Sequence, residues 1–175
     1  MDYMKKLETM VAGWHKGVPH LPVAGQKWLA ANIWWIVLVG AIISGISVLF
    51  ALGGLFTLIA LVGAVSSSYY VYGGVTSWAI LSSLVALLFT AAAAALLALA
   101  VKPLKERQKK GWVILFATLL LNTLAVVVNA VLSFSVFGFV FGIIFGAIFL
   151  GIYAYFLYEI HGQFAHPAKK TTKKA

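Results

Sequence analysis

Lys102-Pro103-Leu104-Lys105-Glu106-Arg107-Gln108-Lys109-Lys110 is a nine-residue polar insert with six charged side chains, and what flanks it decides the fold. Before it, Trp28 to Val101 runs for 74 residues without a charge; after it, Gly111 to Tyr158 runs for 48. A helix needs about 20 apolar residues to cross the ~30 Å hydrocarbon core of a bilayer, so each stretch has room for two crossings and a connection. All remaining charges lie outside both stretches, six from Asp2 to Lys27 and five from Glu159 to Lys174.

The composition agrees with that partition. Of the 175 residues 63% are hydrophobic and only 10% charged, against roughly a quarter charged in a soluble domain, and the mean hydropathy is +1.01. A water-soluble globule, a disordered chain and a collagen-like repeat are excluded, and with no cysteine so is a disulfide scaffold. Basic residues beside membrane helices stay cytoplasmic. Lys5, Lys6, Lys16 and Lys27, then Lys102, Lys105, Arg107, Lys109 and Lys110, then Lys169, Lys170, Lys173 and Lys174 should therefore share one side, which requires an even number of crossings between clusters. The expected architecture is all-α: a polytopic membrane protein with four transmembrane helices as two hairpins, both termini cytoplasmic in a cell membrane. A net charge of +9 suits anionic lipid headgroups better than nucleic acid, and the 102–110 cluster is the natural headgroup contact.

Boundaries follow from composition. Tyr3, Met4, Leu7, Met10, Val11 and Trp14 recur at helical spacing, which predicts an N-terminal amphipathic interfacial helix, an uncleaved anchor ended by Gly17, Pro19 and Pro22. Residues 1–27 are then helix and linker, 28–160 the four-helix transmembrane domain, and 161–175 a basic flexible tail. The predicted spans are 28–50, 78–101, 112–132 and 137–158, with Gly53 and Gly54 ending the first, Lys102 and Pro103 the second, and a tight outer turn at 133–136. Residues 55–75 stay open between a prolonged first helix, a re-entrant or interfacial loop, and an additional crossing that the charge rule disfavours.

Within the spans the sequence offers packing more readily than chemistry. Gly138, Gly142 and Gly146, with Gly151 on a neighbouring line, carve a groove that another helix backbone can approach, either of this chain or of a second copy. Ala91 to Ala95 with Ala98, and Gly40 with Ser44 and Ser47, give thin walls on the second and first helices. Thr118, Asn122, Asn129 and Ser133 form a polar stripe on the third helix; it reads as interhelical hydrogen-bond glue or as the wall of a solute path. No Asp, Glu, Lys, Arg or His falls within the spans, and His15, His20, His161 and His166 lie outside as solvated side chains. Catalytic, metal and cofactor sites are therefore not expected, and Glu159 reads as a boundary marker.

His20-Leu21-Pro22, Asn32-Ile33-Trp34-Trp35 opening the first span, and Lys102-Pro103-Leu104-Lys105 leading to Lys109-Lys110-Gly111-Trp112 resemble small four-helix integral membrane proteins of bacteria. The resemblance covers most of the chain and implies a bacterial inner membrane, without importing an activity. The expected function is non-enzymatic: a membrane scaffold or accessory subunit packing with its own or partner helices, either as a homo-oligomer or with another membrane protein, on a lipid-binding basic rim. The alternative is a small channel or transporter that uses the polar stripe.

Overall fold

The computed structural model describes residues 19–65, 73–133 and 135–165; the amphipathic start at 1–16, the serine and tyrosine run at 66–72 and the basic tail from 166 lie outside the described residues. Among the described residues the elements are all helices. Four helices are long and apolar enough to cross a membrane: α1 (Val23–Val65), α2 (Gly73–Lys105), α3 (Lys109–Leu132) and α4 (Val136–Glu159); a short α5 (His161–Ala165) follows.

Two expected boundaries are corrected. α1 does not stop at Gly53 and Gly54 but continues for 43 residues, so 55–65 prolongs the first helix and Val23 to Lys27 belong to it too. A glycine costs about 1 kcal/mol in a helix. Breaking the helix among Leu, Ile, Val and Phe would leave backbone N–H and C=O groups unpaired among apolar side chains, which costs more. α2 likewise runs through Pro103 to Lys105, although the proline has no N–H to donate to the carbonyl of Leu99.

What stops α2 is a hydrogen-bonded cap. Arg107 N–H donates to Leu104 O (3.0 Å) and Gln108 N–H to Pro103 O (2.8 Å), with Arg107 left-handed at φ 52. This is the Schellman arrangement, with arginine where glycine is usual. It reverses the chain so tightly that a Cβ on Gly111 would meet the Leu104 backbone nitrogen at 2.8 Å. α4 begins at Ser135, whose hydroxyl accepts from Gly138 N–H.

Consecutive helices pack against one another, whereas α1 and α4 do not pair along their lengths. The core gathers at the end carrying the basic turn. Leu29, Ile33, Ala100, Leu104, Trp112, Phe116 and Ile160 are buried there together with Phe164 of α5, so residues 161–165 are not part of a flexible tail.

Candidate functional site

The densest polar constellation lies at the basic end, where the chain entering α1 meets the end of α4. The Glu159 side chain is fully buried although it is a carboxylate. It accepts from His20 Nδ1 at 2.8 Å, from Leu21 N–H at 3.0 Å and from Gln26 Nε2 at 3.0 Å, and the same Gln26 amide reaches Leu21 O at 3.1 Å. An ionised carboxylate only accepts, so Nδ1 is the donor. Tyr155 Oη adds a bond to Pro19 O at 3.0 Å. A buried carboxylate is costly unless its oxygens are satisfied; here the donors bind α4 to the approach and first turn of α1. Glu159 is thus more than a boundary marker, and His20 is half-exposed but paired. No local spacing signals this, because the partners stand more than 130 residues apart.

Beside the clasp, Trp112 stacks on Phe116 (5.4 Å between ring centroids, 7° between planes) and meets Tyr158 and His161 edge-on at 5.9 and 4.6 Å. Its Nε1 donates to Leu157 O at 2.8 Å. His161 is therefore half-buried against a ring, contrary to its reading as a solvated side chain. Lys105 Nζ lies 5.1 Å from the Trp34 ring centre, a cation–π contact between α2 and α1. The other members of the 102–110 cluster, Lys102, Arg107, Lys109 and Lys110, stand exposed or half-exposed around the turn.

Cavities flank α3 on more than one side. One, about 580 Å3, lies between α3 and α4 and is lined by Asn122, Val126, Asn129, Gly142, Gly146 and Tyr153 among others. Another, about 550 Å3, lies nearer the basic end between α1, α3 and α4, with Trp28, Ile36, Gly40, Leu97, Phe156 and Asn122 in its wall. Asn122 and Tyr153 line both.

The polar stripe reaches these cavities but does not bridge helices through its own bonds. Thr118 Oγ1 donates to Ile114 O, Asn129 Nδ2 to Ala125 O and Ser133 Oγ to Ala130 O, all within or at the end of α3. A buried polar group in apolar surroundings takes the nearest free lone pair, and on a helix that is the carbonyl three or four residues back. Apart from the Gln26–Glu159 bond of the clasp, the described bonds between helices come from aromatic residues: Trp78 Nε1 to Leu132 O, Tyr153 Oη to Leu115 O, and Trp112.

Of the glycine row, a Cβ on Gly146 would collide with the Val126 side chain of α3, and one on Gly142 would meet Ala130 Cβ at an ordinary 3.8 Å. Gly138 faces Ser133 and Ser135 of its own turn, and Gly151 has nothing within 4 Å. Close approach is carried by one glycine, and its neighbour is α3 of the same chain. Gly40 on α1 is equally open. Comparison of the chain with protein-family models, with curated proteins and with solved structures finds no match.

Proposed function

We propose that the protein is an integral membrane protein crossing the bilayer four times as two hairpins, with the basic turn and both termini cytoplasmic, and that it serves without enzymatic residues as a scaffold or accessory subunit. The basic turn and flanks hold anionic headgroups, and the uncovered helix faces receive the helices of a partner membrane protein. The resemblance to bacterial proteins of this layout points to an inner membrane.

The observation carrying this reading is the uneven burial of the long helices. The most apolar 18-residue window of α4 has no residue buried, and that of α1 has 6%. Length adds a second argument. Trp28 to Val65 is 38 apolar or uncharged residues, about 57 Å of helix. Even at a steep tilt of about 40°, crossing the hydrocarbon uses only about 39 Å, or roughly 26 residues. The far end of α1, with Phe56, Ile59 and Leu61 exposed, is left past the core with apolar side chains that need cover.

The test has two parts. Cysteines placed at Lys105, Thr172 and Ser67 and labelled by an impermeant thiol reagent on intact cells should react only at position 67. Photocrosslinkers at Phe149 and Ile152 on α4 should give discrete protein adducts in native membranes, with none from buried Leu115. Adducts absent from every exposed position of α1 and α4 overturn the scaffold reading.

A second reading, a small channel or transporter, is favoured by one observation: the space beside Asn122 and Asn129 is a cavity and not a packed interface.

A further inference from the structure

We infer that the cavity between α1, α3 and α4 is a binding site for one acyl chain of an anionic phospholipid, whose headgroup rests at Lys27. The inference deepens the membrane reading above by giving the lipid a defined seat.

Shape comes first. The site measures about 550 Å3 and its wall is almost wholly apolar, formed by residues such as Leu29, Ile33, Val37, Leu97 and Leu157. Thr118 and Tyr153, the hydroxyls in the wall, are already committed to carbonyls of α3. Asn122 is the remaining polar side chain of the wall; one amide is too few partners to order water through a space of that size, which left empty forfeits dispersion contact along its lining. In a bilayer the surrounding solvent is acyl chain.

Access comes second. Trp28, Ile36 and Phe156 stand at the edge of the cavity and are themselves exposed. Because α1 and α4 do not pair along their lengths, the gap between them opens sideways. A chain can enter from the bilayer without crossing the protein.

Charge fixes the class of lipid. Trp28 at the rim sets the level of the headgroups, and exposed Lys27 precedes it on α1. Among the described residues there are two acidic side chains. Glu106 lies in the α2–α3 turn, and Glu159, near the rim, is fully buried and turned onto His20, Leu21 and Gln26. The rim thus offers a lysine and presents no exposed carboxylate, which selects an anionic over a zwitterionic head.

Gly40 makes the site testable. It lines the cavity and a Cβ there meets nothing within 4 Å, so Gly40→Phe places a ring in the space. Gly45, equally open but outside the cavity lining, provides the control Gly45→Phe. Native mass spectrometry of the full chain would count retained lipid after addition of phosphatidylglycerol, phosphatidylcholine with the same acyl chains, or glycerol phosphate.

The expected result is one phosphatidylglycerol per chain, at least fivefold less phosphatidylcholine and no retained glycerol phosphate. Gly40→Phe should lower retention at least tenfold while Gly45→Phe does not. Lys27→Gln should bring the two phospholipids to parity.

An independent measurement needs no variant: phosphatidylglycerol with a photoreactive group at the chain end, in nanodiscs, should mark Leu97 or Thr118 inside the cavity. Marks confined to the exposed faces of α1 and α4, or full retention by a folded Gly40→Phe, would overturn the inference. Neither result touches the four-crossing topology, which the thiol labelling tests separately.

Discussion

The two ends of the molecule are built differently. At the basic end Trp112, Phe116, Leu104 and Ile160 are almost fully buried, and bonds from Trp112, His20, Gln26 and Tyr155 join elements distant in sequence. At the opposite end Phe50, Val136 and Phe137 are exposed, and Ser133 and Asn129 bond back into α3. The Trp78 indole bond to Leu132 O ties α2 to α3 there. The long helices are thus fastened at one end and packed lightly beyond it. Stability should reside at the fastened end.

The comparison breaks first at Trp112. Trp112→Ala removes the stack on Phe116, two edge contacts and the bond to Leu157 O, and buried aromatic truncations cost about 3–5 kcal/mol. Denaturant titration in detergent should show this as the largest loss of any single substitution, well above Phe137→Ala at the exposed end. Glu159→Gln should follow with about 2 kcal/mol, below the range for a fully buried ion pair because the His20 partner is half-exposed. If Phe137→Ala were as damaging as Trp112→Ala, the contrast between the ends would fail.

That asymmetry was only partly legible in the sequence. The charge partition around Lys102 to Lys110 marks where four apolar helices lie, because it depends on local composition alone. The extent of α1 is not legible at Gly53 and Gly54, since glycine reads as a breaker by its intrinsic cost, and the cost of an unpaired backbone in apolar surroundings outweighs it. The clasp was illegible: His20, Gln26 and Glu159 each look like an ordinary interfacial residue, and only the fold brings them within 3 Å. A single acidic residue ending a long apolar segment was the available signal. The glycine row was legible as a pattern, but spacing does not say which member faces a neighbour.

Gly146 and Gly151 sharpen the comparison along α4. Gly146→Leu must displace Val126 and should cost about 1–3 kcal/mol by overpacking. Gly151→Leu, with open space around it, should change stability by a few tenths at most, or slightly raise it by removing a flexible residue. Thermal unfolding of both variants in one detergent checks the order. Equal losses would mean that position 151 also faces a neighbouring helix.

The smallest effect is expected at Asn122 and Asn129, and it decides between the two functional readings. Asn129 bonds to the Ala125 carbonyl of its own helix, and Asn122 lines both cavities. Polar contacts between membrane helices average about 0.6 kcal/mol. Since no interhelical bond is lost here, Asn122→Leu with Asn129→Leu should lower stability by about that amount or less. If the protein is a scaffold, vesicles holding the native chain alone should pass no more solute than empty ones, and the double substitution should change nothing. If the cavities carry solute, the same substitution turns a wall that can hold water into an apolar one and dewets the passage. Flux through the native chain, abolished in a double variant whose unfolding curve is unchanged, would move the function from scaffold to channel. It would also place the conducting path where Asn122 and Tyr153 separate the two cavities.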